Sequence, residues 1–270
     1  CAMLEGIPDI HEFCPIDKSS LRAWLKSAYR VWRHRPDVAF VLPHSFRGAL
    51  LAWFSGASTR VGYSRDRRDA LLTHAVAPHR VDGRIQPIYM AKEYLELAAH
   101  LGCNDDACGL ELVAKPRAIA AVREHLPEGG PLIGFAPGAA FGPSKRWPAE
   151  RYAQVADRLR EELGARCVLL TGPGEEDTRD AVQAAAKEPL IICDERRPTI
   201  DSLKATISQL DLLVCNDSGP RHVAVAFDVP TVCIMGSTSP AYSCGPYERG
   251  EVLRVGVDCG PCQKRVCEKD

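Results

Sequence analysis

The stretch DLLVCNDSGPRHVAVAFDVPTVCIMG runs from Asp211 to Gly236. An apolar strand (211–216) is followed by a polar corner, a helix from Ser218 to Phe227 and a second apolar strand (231–236). Strands without polar alternation are buried on both faces, and a helix between two of them makes them parallel. Asp217 and Ser218 are favourable helix caps, and Pro220 suits a first turn. Gly219 leaves the backbone open to close approach. A helix beginning here turns its free N–H groups and positive dipole end past the strand's carboxyl edge, an anion site. A diphosphate fits, and His222 adds a donor in the first turn. The alternative is a well-capped helix with no ligand.

The same alternation extends upstream. PLIGFAP (131–137), RCVLLT (166–171) and LIICD (190–194) read as strands, with helices over 148–164, after GPGEED (172–177) to about Ala186, and over 199–209. Right-handed crossovers between such strands give a doubly wound sheet, whose ligands bind beyond the carboxyl ends of the strands. In the first half, helices are expected over 20–35, 46–56 and 88–102, and strands over 37–43 and 60–63. The opening CAMLEGIPDI reads like the middle of a domain, so the earliest strands are expected upstream of Cys1. The stretch 113–130, with Pro116, Pro127, Gly129 and Gly130, reads as the domain connection. The expected fold is therefore α/β, with domains at 1–126 (incomplete) and 127–270.

Two further corners follow strands of the second half. Gly138-Ala-Ala-Phe-Gly-Pro-Ser-Lys145-Arg146-Trp147-Pro148 places small residues beside two cations. A lysine over a diphosphate stabilises charge on a leaving group; the alternative is a solvated basic loop. In Thr171-Gly-Pro-Gly-Glu175-Glu176 a glutamate can accept from ribose hydroxyls, or simply sit in a helix's first turn where the dipole favours it. Three such corners along one sheet edge describe a nucleotide-diphosphate site better than any one does. The chain has neither GxGxxG nor GxxxxGK[ST]. It also lacks an evident Asp-x-Asp pair for a divalent metal, so a metal-free transfer from a nucleotide-linked donor is the simplest fit.

Composition narrows the classes. The 270 residues carry 34 Lys plus Arg against 35 Asp plus Glu, so no global field marks a nucleic-acid binder. No apolar run reaches the roughly 18 residues of a spanning helix. Of the 12 cysteines, Cys167, Cys193, Cys215 and Cys233 fall in apolar strands and read as buried hydrophobes. Cys259-Gly-Pro-Cys262 with Cys267 allows part of a metal site or a reduced structural loop.

GAAFGPSKRWP (138–148) and NDSGPRHVAVAFDVPTVCIMGSTSP (216–240) resemble the glycosyltransferase family 9 heptosyltransferases, in particular the heptosyltransferase II group. VLPHSFRGALLAWFSGASTRVGYSRDRRDALLTH (41–74) is similar to that group's N-terminal half, and CGPCQKRVC (259–267) to its C-terminal segment. The resemblance implies a GT-B fold of two Rossmann-like domains facing a cleft. It implies inverting transfer of heptose, without metal or cofactor, from ADP-L-glycero-β-D-manno-heptose to the lipopolysaccharide inner core, in the cytoplasm and peripheral to the inner membrane. By resemblance Lys145 and Asp217 are catalytic. Gly138, Lys145, Glu176, Asp217, Ser218, Gly219 and His222 bind the donor. The general base is an acidic residue in a loop expected upstream of Cys1, and without it the chain is expected to transfer poorly. A related GT-B transferase with another nucleotide sugar or a protein acceptor, and a binding-only protein, are the alternatives.

An acidic, phosphorylated acceptor calls for cations in the first half. Arg47, Arg65, Arg67 and Arg68 are candidates, each equally readable as part of a solvated loop. Helix 20–35 carries Arg22, Lys26, Arg30, Arg33 and Arg35 interleaved with Leu21, Trp24, Leu25, Tyr29 and Trp32. Such a helix either lies on an anionic membrane or packs its apolar face on a sheet.

Overall fold

The computed structural model describes residues 2–86, 88–193 and 198–269. The chain forms two compact units: residues 11–107, and residues 108–270 joined by residues 1–10. The boundary therefore lies earlier than the expected 126/127. Part of the physical reason is Lys204, which is fully buried and donates to the carbonyls of Ala2 (3.0 Å) and Met3 (3.2 Å), tying the first residues to the second unit. A buried ammonium needs such acceptors.

In the first unit, α1 (Leu21–Arg33) opens on Ser20, whose hydroxyl accepts from Ala23 N. There follow β1 (Val38–Phe40), α2 (Phe46–Phe54), β2 (Thr59–Tyr63), β3 (His74–Val76), the hairpin β4 (Arg80–Val81) and β5 (Arg84–Ile85), and α3 (Met90–Ala99). Strands β1, β2 and β3 form a parallel sheet in that order. Helix α1 turns Ser27 and Ala28 inward and packs on α2. Its other apolar stripe, Leu21, Leu25, Tyr29 and Trp32, is exposed.

In the second unit, α4 (Pro116–Arg123) occupies the stretch expected as linker and packs on α7. Pro116 starts this helix rather than breaking it. Then come β6 (Leu132–Ala136), α5 (Ala149–Leu163), β7 (Arg166–Leu169), α6 (Glu176–Ala185), α7 (Ile200–Ile207), β8 (Leu212–Asn216), α8 (Gly219–Ala226), β9 (Thr231–Ile234), α9 (Pro240–Ser243) and β10 (Gly250–Leu253). All five strands are parallel, in the order β10-β9-β8-β6-β7. The expected strand 190–194 is reduced to one bridge between Ile191 and Val168, and its Asp194 lies outside the described residues. Alternation along β8 and β9 divides the core. Leu213, Cys215 and Cys233 pack toward α7 and α8, whereas Val214, Leu212, Val232 and Ile234 pack on the α5 side. Strand order reverses between β6 and β8, and the crevice of a doubly wound sheet opens at that switch point.

Candidate active site

The corners after β6 and β8 meet at the switch point. Asn216, fully buried, joins them: Oδ1 accepts from Trp147 N (3.1 Å) and Tyr152 Oη (2.9 Å), and Nδ2 donates to Pro137 O (2.6 Å). One amide thus ties the end of β8 to the loop and helix after β6. The loop carries Lys145 to Asp217, with Nζ 2.6 Å from Oδ2 and 3.2 Å from the backbone carbonyl. Lys145 also lies over the Phe141 ring.

Asp217 is 4% exposed, and Thr238, from the loop after β9, donates to the same Oδ2 at 2.6 Å. Burial pushes its carboxyl up, but hydrogen bonds from Lys145 and Thr238 and the lysine charge outweigh that, leaving it below the ordinary carboxylate range. It is therefore an anion at neutral pH and holds Lys145 in an ion pair. Burial and the adjacent Arg221 push His222 below the ordinary imidazole range, so it is a neutral donor or acceptor near pH 7.

Helix α8 differs from expectation in one useful way. Ser218 occupies the N-cap position in extended backbone, yet its hydroxyl makes no cap bond. That side chain does not consume the first turn's N–H groups, but Pro220 has none and Arg221 N donates to Ser218 O at 3.2 Å. In this turn it is therefore the Gly219 N–H, with the positive end of the helix dipole, that faces an anion. A Cβ added at Gly219 would meet nothing within 4 Å. The fold itself does not need glycine there. Gly219→Ala is accordingly expected to leave the melting temperature unchanged or raise stability by about 0.5 kcal/mol, while ADP affinity, read by calorimetry, falls tenfold or more.

Gly138 is buried, and a Cβ there would overlap the Glu175 carboxylate. Glu175 Oε2 accepts from Gly172 N at 2.8 Å. Glu176 is exposed and turned to its own loop, accepting from Gly174 N at 3.2 Å. Glu175, not singled out in the sequence, is therefore the carboxylate brought against the β6 corner.

Behind Lys145, the C-terminal segment forms a second layer. Ser144 Oγ contacts Ser237 Oγ (2.9 Å) and donates to Lys264 O (2.6 Å), and Gln263 N donates to Ser237 O. Among the described residues no group of three or more His, Cys, Asp or Glu is placed to hold a metal ion, so Cys259, Cys262 and Cys267 form none. A cavity of about 940 Å³ lies on the α5 side of β8, β9 and β10, walled by Val155, Leu159, Val214, Val232 and Ile234. None of Asp217, Ser218, Gly219 or His222 lines it.

In the first unit the candidate cations separate. Arg47 and Arg67 are exposed. Arg68 is fully buried: its Nε donates to Tyr63 O at 2.9 Å and its NH1 to Pro43 O, binding the loops after β1 and β2 together. It is structural, not a surface cation for a ligand. Arg65 is half-buried, with NH1 2.9 Å from His44 Nδ1. Thr238, Asn216 and Glu175 join the corners of the second unit, and His44 pairs with Glu93 beside Arg65 in the first unit. Ser-Thr-Ser-Pro after the strand 231–236 was a legible fourth corner; the His44–Glu93 pairing had no local signal.

Two Rossmann-like parallel units, one with the Lys145–Asp217 corner at its switch point, are the architecture of GT-B glycosyltransferases. Comparison with known proteins agrees and narrows the class. The family described as glycosyltransferase family 9 (heptosyltransferase) matches residues 24–270, and the chain belongs to that family. Lipopolysaccharide heptosyltransferase 2 of Escherichia coli K12 is 28% identical over 269 residues, covering 94% of this chain and 76% of that protein. Lipooligosaccharide heptosyltransferase 2 of Haemophilus ducreyi is 29% identical over 278 residues, covering 96% and 78%. Among solved structures, a family 9 glycosyltransferase from Veillonella parvula superposes with a TM-score of 0.81 at 28% identity, over 93% of this chain and 73% of that one. The E. coli ADP-heptose lipopolysaccharide heptosyltransferase II superposes with a TM-score of 0.76 at 27% identity, over 94% and 78%.

Proposed function

We propose that this chain transfers heptose from ADP-heptose to the lipopolysaccharide inner core by an inverting displacement that needs no metal. The observation that carries the reading is Lys145 Nζ, held 2.6 Å from buried Asp217 beside the uncapped start of α8. The Gly219 N–H and the positive dipole end of that helix take the donor's diphosphate, and Lys145 neutralises charge as the glycosidic bond breaks and ADP departs. Asp217 and Thr238 fix Lys145, Gly138 lets the donor approach the β6 corner, and His222 adds a hydrogen bond. Glu176 or its neighbour Glu175 takes the ribose hydroxyls. Arg47, Arg65 and Arg67 draw the acidic acceptor. The test is transfer to heptose-deficient core oligosaccharide from ADP-heptose against UDP- and GDP-linked sugars. The reading expects turnover with the ADP donor; turnover with UDP- or GDP-sugars alone would overturn it.

Work at the inner face of the inner membrane follows from the acceptor. No helix among the described residues is long and apolar enough to cross a membrane. Helix α1 supports a peripheral contact: its exposed stripe Leu21, Leu25, Tyr29, Trp32 is flanked by exposed Arg22, Lys26 and Arg33. Each basic residue near an anionic surface contributes about 1 kcal/mol. Reversing Arg22, Lys26 and Arg33 to Glu is expected to abolish pelleting with anionic vesicles. Undiminished, salt-insensitive pelleting of that variant would count against the contact.

A further inference from the structure

Four buried side-chain nitrogens and oxygens without a hydrogen-bond partner cluster in the first unit: His44 Nε2, Arg65 Nε, Arg68 NH2 and Glu93 Oε2. His44 follows β1 and Arg65 follows β2, so both stand at the carboxyl edge of the parallel sheet, the edge where such sheets bind ligands. Glu93 reaches them from the first turn of α3, with a side chain only 4% exposed. Buried polar atoms left unpaired in one place mark a site that a ligand or water completes.

The hydrogen-bond directions give the cluster an order. Arg65 NH1 can only donate, so His44 Nδ1, 2.9 Å away, carries the lone pair and accepts. The ring proton is then on Nε2, which faces Glu93 Oε2 at 3.2 Å, off the line of an aligned hydrogen bond. Glu93 Oε1 lies 3.7 Å from Arg65 NH2. Nδ1 is committed to Arg65 and Nε2 carries the ring proton, so His44 has no free lone pair with which to act as a base. What the arrangement does is hold one guanidinium in place, with Nε without a hydrogen-bond partner and NH2 only at ion-pair distance from Glu93.

We infer that Glu93 and His44 are positioning residues for Arg65, and that the Arg65 they preset clamps an anionic group, phosphate or carboxylate, of the acceptor. This deepens the reading of the Arg65 edge as acceptor-binding and rests on it. A guanidinium fixed in advance loses less side-chain freedom on binding, and its fork matches either oxyanion. The clamp requires neutral His44. Burial and the charges of Arg65 and Arg68 favour the neutral ring, while Glu93 and Asp66 oppose them, and the net displacement is downward. Tyr63 meets the ring edge-on. As pH falls through this depressed value, Nδ1 gains a proton and changes from acceptor to donor, and Arg65 is released.

The test is calorimetric affinity for phosphorylated inner-core oligosaccharide, with ADP affinity measured in parallel. Arg65→Ala and His44→Leu are each expected to weaken oligosaccharide binding about tenfold, the effect of one charge-assisted contact. His44→Gln offers both an acceptor for Arg65 and a donor for Glu93. It is expected to bind within about twofold of wild type near pH 7.5 and to lack the extra loss that wild type shows as pH falls below the ordinary imidazole range. ADP affinity stays unchanged in all three. Phosphatase treatment separates the sources: lost affinity names phosphate, retained affinity names carboxylate. If Arg65→Ala binds normally, the acceptor reading of this edge fails. If Arg65→Ala weakens binding but His44→Leu does not, or wild type and His44→Gln fall equally with pH, the positioning inference alone fails.

Discussion

Lys145→Met is expected to lower the heptose transfer rate by about 10²–10³-fold, the typical effect of removing one donor aimed at developing charge. The methionine keeps a side chain of similar length and removes the ammonium, and with it the contact over the Phe141 ring. A second effect follows from the partner. Asp217, 4% exposed, loses its counter-ion and keeps the hydroxyl of Thr238. Leaving a buried charge unpaired costs on the order of 3 kcal/mol. With burial then dominant, the Asp217 carboxyl moves up from its depressed position. In the wild type a depressed carboxyl contributes stability above the unfolded value near pH 4, lost only as pH falls through the folded pKa. Stability attributable to this pair is therefore flat across neutral pH. In Lys145→Met that contribution is absent, and acid unfolding sets in at higher pH. Stopped transfer assays and melting curves from about pH 4 to 8 read the two effects separately. A variant with wild-type transfer would remove Lys145 from the chemistry.

Asn216→Ala is expected to be among the most damaging single changes to the second unit. It leaves Trp147 N, Tyr152 Oη and Pro137 O without their partner in the interior. At about 1 kcal/mol for each bond, the loss is on the order of 3 kcal/mol. That lowers the melting temperature by roughly 6–12 °C for a unit of this size. Because Asn216 ties the Lys145 loop to the start of α8, ADP affinity should fall with it even below the melting transition. Asn216→Asp is a sharper probe: it keeps the acceptor for Trp147 and Tyr152 but cannot donate to Pro137 O. With an unpaired carboxylate facing Pro137 O in a fully buried site, it is expected to be at least as destabilising as Ala. Full stability in Asn216→Ala would show that the loop is held by other contacts.

The sheet of the second unit was legible because its strands are continuous apolar runs, a pattern few other structures share. Helix ends were legible where a residue type has one main use. Gly164 closes α5 in left-handed backbone, and Thr199 with Ser202 forms a capping box at α7. What was not legible depends on partners distant in sequence. Strand β10 alternates half-buried and exposed residues, GEVL, and pairs only because β9 lies beside it. Helix α4 looked like a linker because Pro and Gly flank it. Lys204 reads as a surface lysine until residues 2–5 close over it. At the site, the corners were visible as strand-to-helix turns, but which glutamate faces Gly138 depends on where α6 begins, one residue after Glu175. Arg68 illustrates the same limit: its charge suggested a ligand, and its burial under three backbone carbonyls gave it a structural role.

Everything proposed for the second unit requires that the β6 and β8 corners grip one diphosphate together. Titrating ADP into the ¹⁵N-labelled protein and following backbone amides tests this directly. The account predicts that Gly138 and Lys145, on one corner, and Gly219, Arg221 and His222, on the other, shift together along curves with a single dissociation constant. Movement of only one corner, or two corners saturating at different ADP concentrations, would contradict it.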